Sequence, residues 1–287
     1  MQSPNLRALI LSAALAAVVI PSAIAESGTT VYFNPPREDV GWENDLVAFR
    51  VYGPTLRDKP EDSGIDCFLK KVDYPIVKKW YEDKTRNYHE DHGEGYDPYH
   101  VGSSRGCGGL GIWKDGEIIT SDVFYTWELV SSTPEESKFK LVYAYDLDGK
   151  KVSEVKTITI KRGSQLFHVD AEFTQDGKPL SGLEIAIGVT THDGKAKATF
   201  DAKQGWMSCW EAIDNQGLGT GVAIDPAKVI EMKEITGGGT DKGHVIALTK
   251  TDKDGKVSYD TGFAWAGAGK ITTQDAWQAY LEKSVQK

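Results

Sequence analysis

From residue 46 onward the chain is dominated by short runs in which apolar and polar residues alternate. Lys138-Phe139-Lys140-Leu141-Val142-Tyr143 shows the pattern, and a period of two puts one set of side chains on each face of a strand. The pattern predicts strands at Leu46–Tyr52, Lys138–Tyr145, Val152–Ile160, Leu166–Phe173, Leu183–Thr191 and His244–Leu248. Asp148-Gly149, Asp176-Gly177, Asp193-Gly194 and Asp254-Gly255 punctuate the chain. Asp-Gly signals a hairpin because glycine accepts positive φ and aspartate tolerates it. Helical spacing occurs at Pro75–Glu82 and at Thr272–Val285, where Ala276, Trp277, Tyr280, Leu281 and Ser284 share a face. The expected architecture is all-β: one large antiparallel β-sandwich domain over 26–287. A short helix near 75–82 and a C-terminal helix packed across the sheets complete it.

The first residues follow another rule. Ala8 to Ile20 is almost unbroken apolar sequence behind Arg7, and Pro21 and Ser22 precede Ala23-Ile24-Ala25. A charged start, an apolar stretch and a small-x-small site are the parts of a cleavable signal peptide. The apolar run is shorter than the roughly 18–20 residues that span a bilayer. The expectation is a leader over 1–25, cleaved after Ala25, and a periplasmic or extracellular protein with no membrane span.

A formal net charge of −9, with no clustered Lys or Arg, excludes nucleic acid as a natural partner. An anionic ligand would need positive charge gathered locally. Cys67, Cys107 and Cys209 are an odd set. In an oxidising compartment they read as one disulfide, preferably Cys67–Cys107, plus one thiol, or as three separate buried thiols.

The segment from Arg86 to Gly111 has neither period. It holds glycines at 93, 95, 102, 106, 108, 109 and 111 and three of the six histidines. A long irregular loop inside a compact domain is usually functional, and Tyr88, Tyr96, Tyr99 and Val101 give this one bulky anchors. Three readings compete. In the first, His89, His92, Tyr88 and Tyr99 do acid–base chemistry and Arg105 binds a substrate carboxylate. In the second, His89, His92, His100 and Asp97 hold a divalent metal, although their spacing matches no defined zinc signature. In the third, these side chains only brace the loop. No cofactor is called for outside the second reading.

Other candidates lie beyond the loop. Arg50 points away from Phe49 and Val51 on its strand, and His192 stands where a strand meets the Asp193-Gly194 turn. Among eight tryptophans, Trp42, Trp206 and Trp210 are the expected platforms for a sugar ring, against the plain alternative of core packing.

Several motifs resemble one family in combination: Trp42-Glu43-Asn44-Asp45, Phe49-Arg50-Val51-Tyr52-Gly53, Ser63-Gly64-Ile65-Asp66, Lys79-Trp80-Tyr81, the run from Tyr88 to Asp97, and Tyr99-His100-Val101-Gly102. Together they are similar to the family called domain of unknown function 4861, and the likeness covers nearly all of the chain after the leader. The resemblance implies secreted proteins of acidic-polysaccharide breakdown and a fold similar to the galactose-mutarotase-like supersandwich. The resulting expectation is a carbohydrate-active enzyme for uronic-acid-containing oligosaccharides or polysaccharides, working by β-elimination as a lyase or dehydratase. His89, His92 or His192 would be the base, Tyr88 or Tyr99 the acid, and Arg50 or Arg105 the partner of the carboxylate. The alternatives are a non-catalytic glycan-binding protein and a hydrolase using two carboxylates from Glu43, Asp66, Asp91 and Asp97.

Overall fold

The computed structural model describes residues 27–285, so the expected leader lies outside the described residues. The strands form three antiparallel sheets. The first is a meander of Thr30–Asn34, Asp39–Glu43, Ala48–Val51, Asp66–Lys70 and Gly95–Tyr96. The second has nine strands. The long hairpins Glu136–Leu147, Lys150–Lys161 and Leu166–Gln175 run on through Lys256–Trp265 to Gln216–Ala223 and Trp206–Ile213. The third runs in the order Glu231–Ile235, His244–Lys250, Glu184–Thr190, Cys107–Lys114 and Glu117–Ile119. One parallel bridge, Ile65 to Gly106, joins the first sheet to the third among the described residues. The result is an all-β sandwich, as the alternation predicts.

Each predicted strand is present, several of them longer than expected, because hairpin partners carry the pairing to the turn. Asp148 and Gly149 sit at φ 56° and 76°, and Asp176 and Gly177 at 51° and 74°, the left-handed pair that a two-residue hairpin needs. The irregular segment, by contrast, ends earlier than expected. Cys107–Lys114 is an interior strand of the third sheet. Its glycines serve close cover: a Cβ at Gly109 would strike the Arg105 backbone, and one at Gly111 would strike Ile118.

Inward residues of the first sheet meet the nine-stranded sheet. Trp42 has 0% exposure and packs on Phe49, Phe139 and Phe167 with ring centroids 5.5, 5.3 and 5.1 Å away. This corrects its expected role as a sugar platform, since its place on the strand faces the core. Glu154 and Lys156 also face inward, between Val152 and Ile158, and pair at 3.4 Å. Cys67, Cys107 and Cys209 are buried free thiols. The expected disulfide is absent, and the Cys107 thiol donates instead to the Gly262 carbonyl at 3.1 Å.

Helix α1 (Val77–Glu82) begins on a buried carboxylate. The Ile76 and Val77 amides donate to Glu43, each at 2.9 Å to its Oε1. The Lys70 ammonium donates to Glu43 at 2.9 Å and to the Asn44 and Tyr74 carbonyls at 2.8 Å. Helix α2 (Gln274–Val285) lies on the outer face of the nine-stranded sheet. Gly219 and Gly221 leave a trough there that Trp277 and Leu281 fill. Trp206 and Trp210 belong to the same apolar cluster, and Trp210 covers Gly217. Both are therefore packing residues under α2, a correction to their expected place at a ligand.

A methyl group at Gly219 would overlap Trp277. Gly219→Ala is expected to lower the unfolding free energy by about 1–3 kcal/mol, read from the urea midpoint at constant m.

Candidate functional site

The outer face of the first sheet carries charge where its inner face carries rings. Asp39, Gly41 and Glu43 alternate with Val40 and Trp42, and Arg50 lies directly across from Gly41 on one side and Asp66 on the other. Arg50 donates from Nε to Asp66 at 2.9 Å, and a second bond runs from Nη2 to the same carboxylate. Nη2 also reaches Asp97 at 3.1 Å. The guanidinium sits 4.8 Å from the Phe68 ring centroid and 5.0 Å from that of Tyr52, whose hydroxyl donates to Asp66 at 3.3 Å. Burial opposes the charge on Arg50, and Asp66 and Asp97 more than compensate.

Asp97 comes from the irregular loop. Burial, then the neighbouring Asp66 charge, pushes its carboxyl well above the usual carboxylate range, against the pull of Arg50 and Arg37. Asp39 is raised by burial as well, and it accepts from the Tyr81 hydroxyl at 3.1 Å. His89 stands over this buried group with 55% of its side chain exposed. Its Nδ1 is 2.8 Å from the Asp97 backbone carbonyl and 3.5 Å from the carboxylate. A carbonyl oxygen only accepts, so Nδ1 carries the proton and Nε2 presents a free lone pair. Tyr88 packs beside His89 at 4.4 Å with its hydroxyl buried and unpartnered. The exposed Arg37 lies 5.7 Å above the Tyr88 ring, and its guanidinium makes no ion pair among the described residues.

The remaining expected residues go elsewhere. Tyr99, His100 and His192 form a second cluster at the far end of the loop. His192 Nδ1 is 2.8 Å from Glu211, and Nε2 is 2.8 Å from the His100 carbonyl. Both partners are acceptors, so the ring must carry both protons. The hydrogen bonds and the Glu211 charge outweigh burial and raise its pKa. Committed on both nitrogens, His192 is a brace and no base. The Tyr99 ring packs 4.8 Å from it, with its hydroxyl buried and unpartnered, so it offers no acid to a substrate. His100 binds Asp241 at 2.8 Å, while His92 turns back to the Asn87 carbonyl at 3.2 Å. With His89, His92 and His100 on different partners, the expected metal set does not assemble. Among the described residues no three His, Cys, Asp or Glu side chains are gathered as an ion would need. Arg105 is 1% exposed and is already bound to Asp62, Ser63 and the Leu110 carbonyl, so it meets no substrate carboxylate directly. Glu43 is likewise committed to α1, and Asp91 pairs with Lys71 at the surface.

Sequence reasoning missed Arg37, Asp39 and Tyr81. Alternation carries a signal for Asp39, which shares a face with Gly41 and Glu43. Arg37 lies in the turn before that strand, where no periodicity reports direction.

The His192 brace has a pH dependence whose sign is set. Its folded pKa is raised above the unfolded value of about 6.5. Its contribution is therefore fully present below about pH 6.5 and is lost as pH rises through the folded value. The difference in melting temperature between the wild type and His192→Gln is expected to be largest near pH 5–6 and to shrink toward pH 9, measured by calorimetry across that range.

The model of the family described as Domain of unknown function (DUF4861) matches residues 18–287. A protein of Formosa agariphila, called Uncharacterized protein P7, is 34% identical over 281 residues, spanning 91% of this chain and 69% of its own length. Among solved structures, the galactosidase domain of alpha-galactosidase-sucrose kinase AgaSK aligns with a TM-score of 0.39 at 8% identity over 82% of this chain. The alpha-galactosidase from Lactobacillus brevis aligns with a TM-score of 0.38 at 9% identity over 86% of this chain. This chain spans 41% and 42% of the lengths of those two structures.

Proposed function

Since the chain belongs to the DUF4861 family, we propose that it is an exported carbohydrate-active enzyme that acts on uronic-acid-containing oligosaccharides by β-elimination. One observation carries the reading: His89, with Nε2 free and exposed, stands on the backbone and carboxyl of a buried Asp97 that Arg50 holds in place. A base of fixed tautomer, backed by a carboxyl group and open to solvent, is the arrangement that proton abstraction requires.

Arg37 supports the choice of an acidic sugar. It is an exposed guanidinium in a protein of net charge −9, placed beside the base. Its fork geometry suits a carboxylate. In the proposed reaction it neutralises the charge that builds on the sugar carboxylate as the adjacent carbon loses its proton. His89 Nε2 takes that proton, the electron pair of the C–H bond forms the C=C bond, and the C–O bond at the neighbouring carbon breaks. The imidazolium returns its proton to the departing oxygen, and the Asp97 backbone carbonyl, accepting from Nδ1, stabilises the imidazolium meanwhile. Export is supported by the leader-like sequence over 1–25.

The test is to incubate the mature protein with uronic-acid oligosaccharides and follow the ultraviolet absorbance of the unsaturated product. A rise is expected. New reducing ends without absorbance would mean hydrolysis, and binding without either would mean a glycan-binding role, and each of these overturns the proposal. His89→Ala is expected to lower kcat by about 10²–10⁴-fold, with a smaller loss in Asp97→Asn. Arg37→Ala should lower kcat as well as raise KM, because the charge it meets grows in the transition state. Steady-state kinetics on the purified variants separates these outcomes.

A further inference from the structure

A cavity with a volume of about 340 Å³, whose lining does not include His89, lies on the outer side of the third sheet. That is the scale of a small-ligand pocket. We propose that it is a binding site for a single acidic sugar residue, held at its mouth by Lys242. The choice of a uronate rests on the function proposed above, whereas the pocket's geometry is independent of it.

The floor is built and rigid. Arg105 crosses the sheet over Gly188, where a Cβ would touch its side chain. His244 accepts the Arg105 amide at 2.9 Å on Nε2 and donates from Nδ1 to the Lys242 carbonyl at 2.9 Å. With both nitrogens engaged and burial lowering its pKa to about 4, His244 is a neutral floor at physiological pH. Arg105 is neutralised by Asp62 behind it, so the floor carries no unpaired charge that would demand a counter-ion.

The walls differ in kind. Ile118 and Ile235 face the cavity with apolar surface, while Thr120 and the carboxylates Glu117 and Asp241 line it with polar groups. A pyranose ring has the matching halves, C–H bonds on one face and hydroxyls at its edge. No Trp, Tyr or Phe side chain lines the cavity. Gly237 and Gly238, at φ 77° and 88°, form a lip without side chains. Asp241 is held by His100 at 2.8 Å. Lys242 beside it is an exposed ammonium with no ion-pair partner among the described residues, and it is the charge that would select a carboxylate.

The experiment is isothermal titration of the mature protein with D-glucuronate and with D-glucose. Lys242→Glu, His89→Ala and Arg37→Ala are compared with the wild type after circular dichroism confirms their fold. Glucuronate binding that persists in His89→Ala and Arg37→Ala but weakens about tenfold or more in Lys242→Glu, with glucose weaker throughout, is the expected result. Binding that survives Lys242→Glu and disappears in Arg37→Ala would place the ligand at His89 and overturn the proposal, as would no binding at millimolar ligand. Should elimination fail while Lys242-dependent binding persists, the catalytic reading falls and this pocket stands.

Discussion

A guanidinium shut away from water must be met by negative charge, and Arg50 is met from two directions. Asp66 lies across the strand pair, a partner the sheet supplies through register alone. Asp97 arrives from the loop, so the loop can close only in a conformation that brings this carboxylate to Arg50. Breaking such a buried pair costs about 3–5 kcal/mol, because the remaining charge is stranded. That constraint gives an irregular, glycine-rich segment one shape. His89 inherits its position from it, since its ring leans on the backbone of the same Asp97.

The loop is fixed at its other end by a different chemistry. There His192 bridges Glu211 and the His100 carbonyl, and the His100 ring and Ser103 amide both engage Asp241. The exposed base therefore sits on a segment anchored at both ends, by an ion cluster on the first sheet and a hydrogen-bond chain on the third. Such anchoring is how a site on a loop acquires the fixed geometry that catalysis demands.

Much of the fold was legible because strand alternation and Asp-Gly turns are local signals. The hairpins from Glu136 to Gln175 follow directly from them. Cys107–Lys114 was not legible: its glycines look like loop residues until Arg105 and Ile118 are seen lying over them. In the candidate site, Arg50, His89, Tyr88 and Asp97 were within reach of sequence reasoning, Arg50 because its face on the strand is fixed by Phe49. The division of the loop into separate groups was hidden. Whether a histidine faces Asp97, Asp241 or Asn87 depends on partners up to 141 positions away, as for His100. The tryptophans failed for a related reason. Trp42 is a core residue by strand parity, but Trp206 and Trp210 are covered only by α2, at the other end of the described chain.

The bridge between Ile65 and Gly106, one rung among the described residues, has a mechanical meaning. Two sheets stitched at one rung resist separation there yet offer little shear stiffness along the seam, unlike strands joined along a full ladder. The segment that carries His89 leaves the first sheet after Lys70 and rejoins it at Gly95–Tyr96, and the chain crosses to the third sheet between Tyr96 and Cys107. His89 therefore rides with the first sheet, and sliding at the seam would be taken up by the stretch from Asp97 to Gly106 before it reached the base.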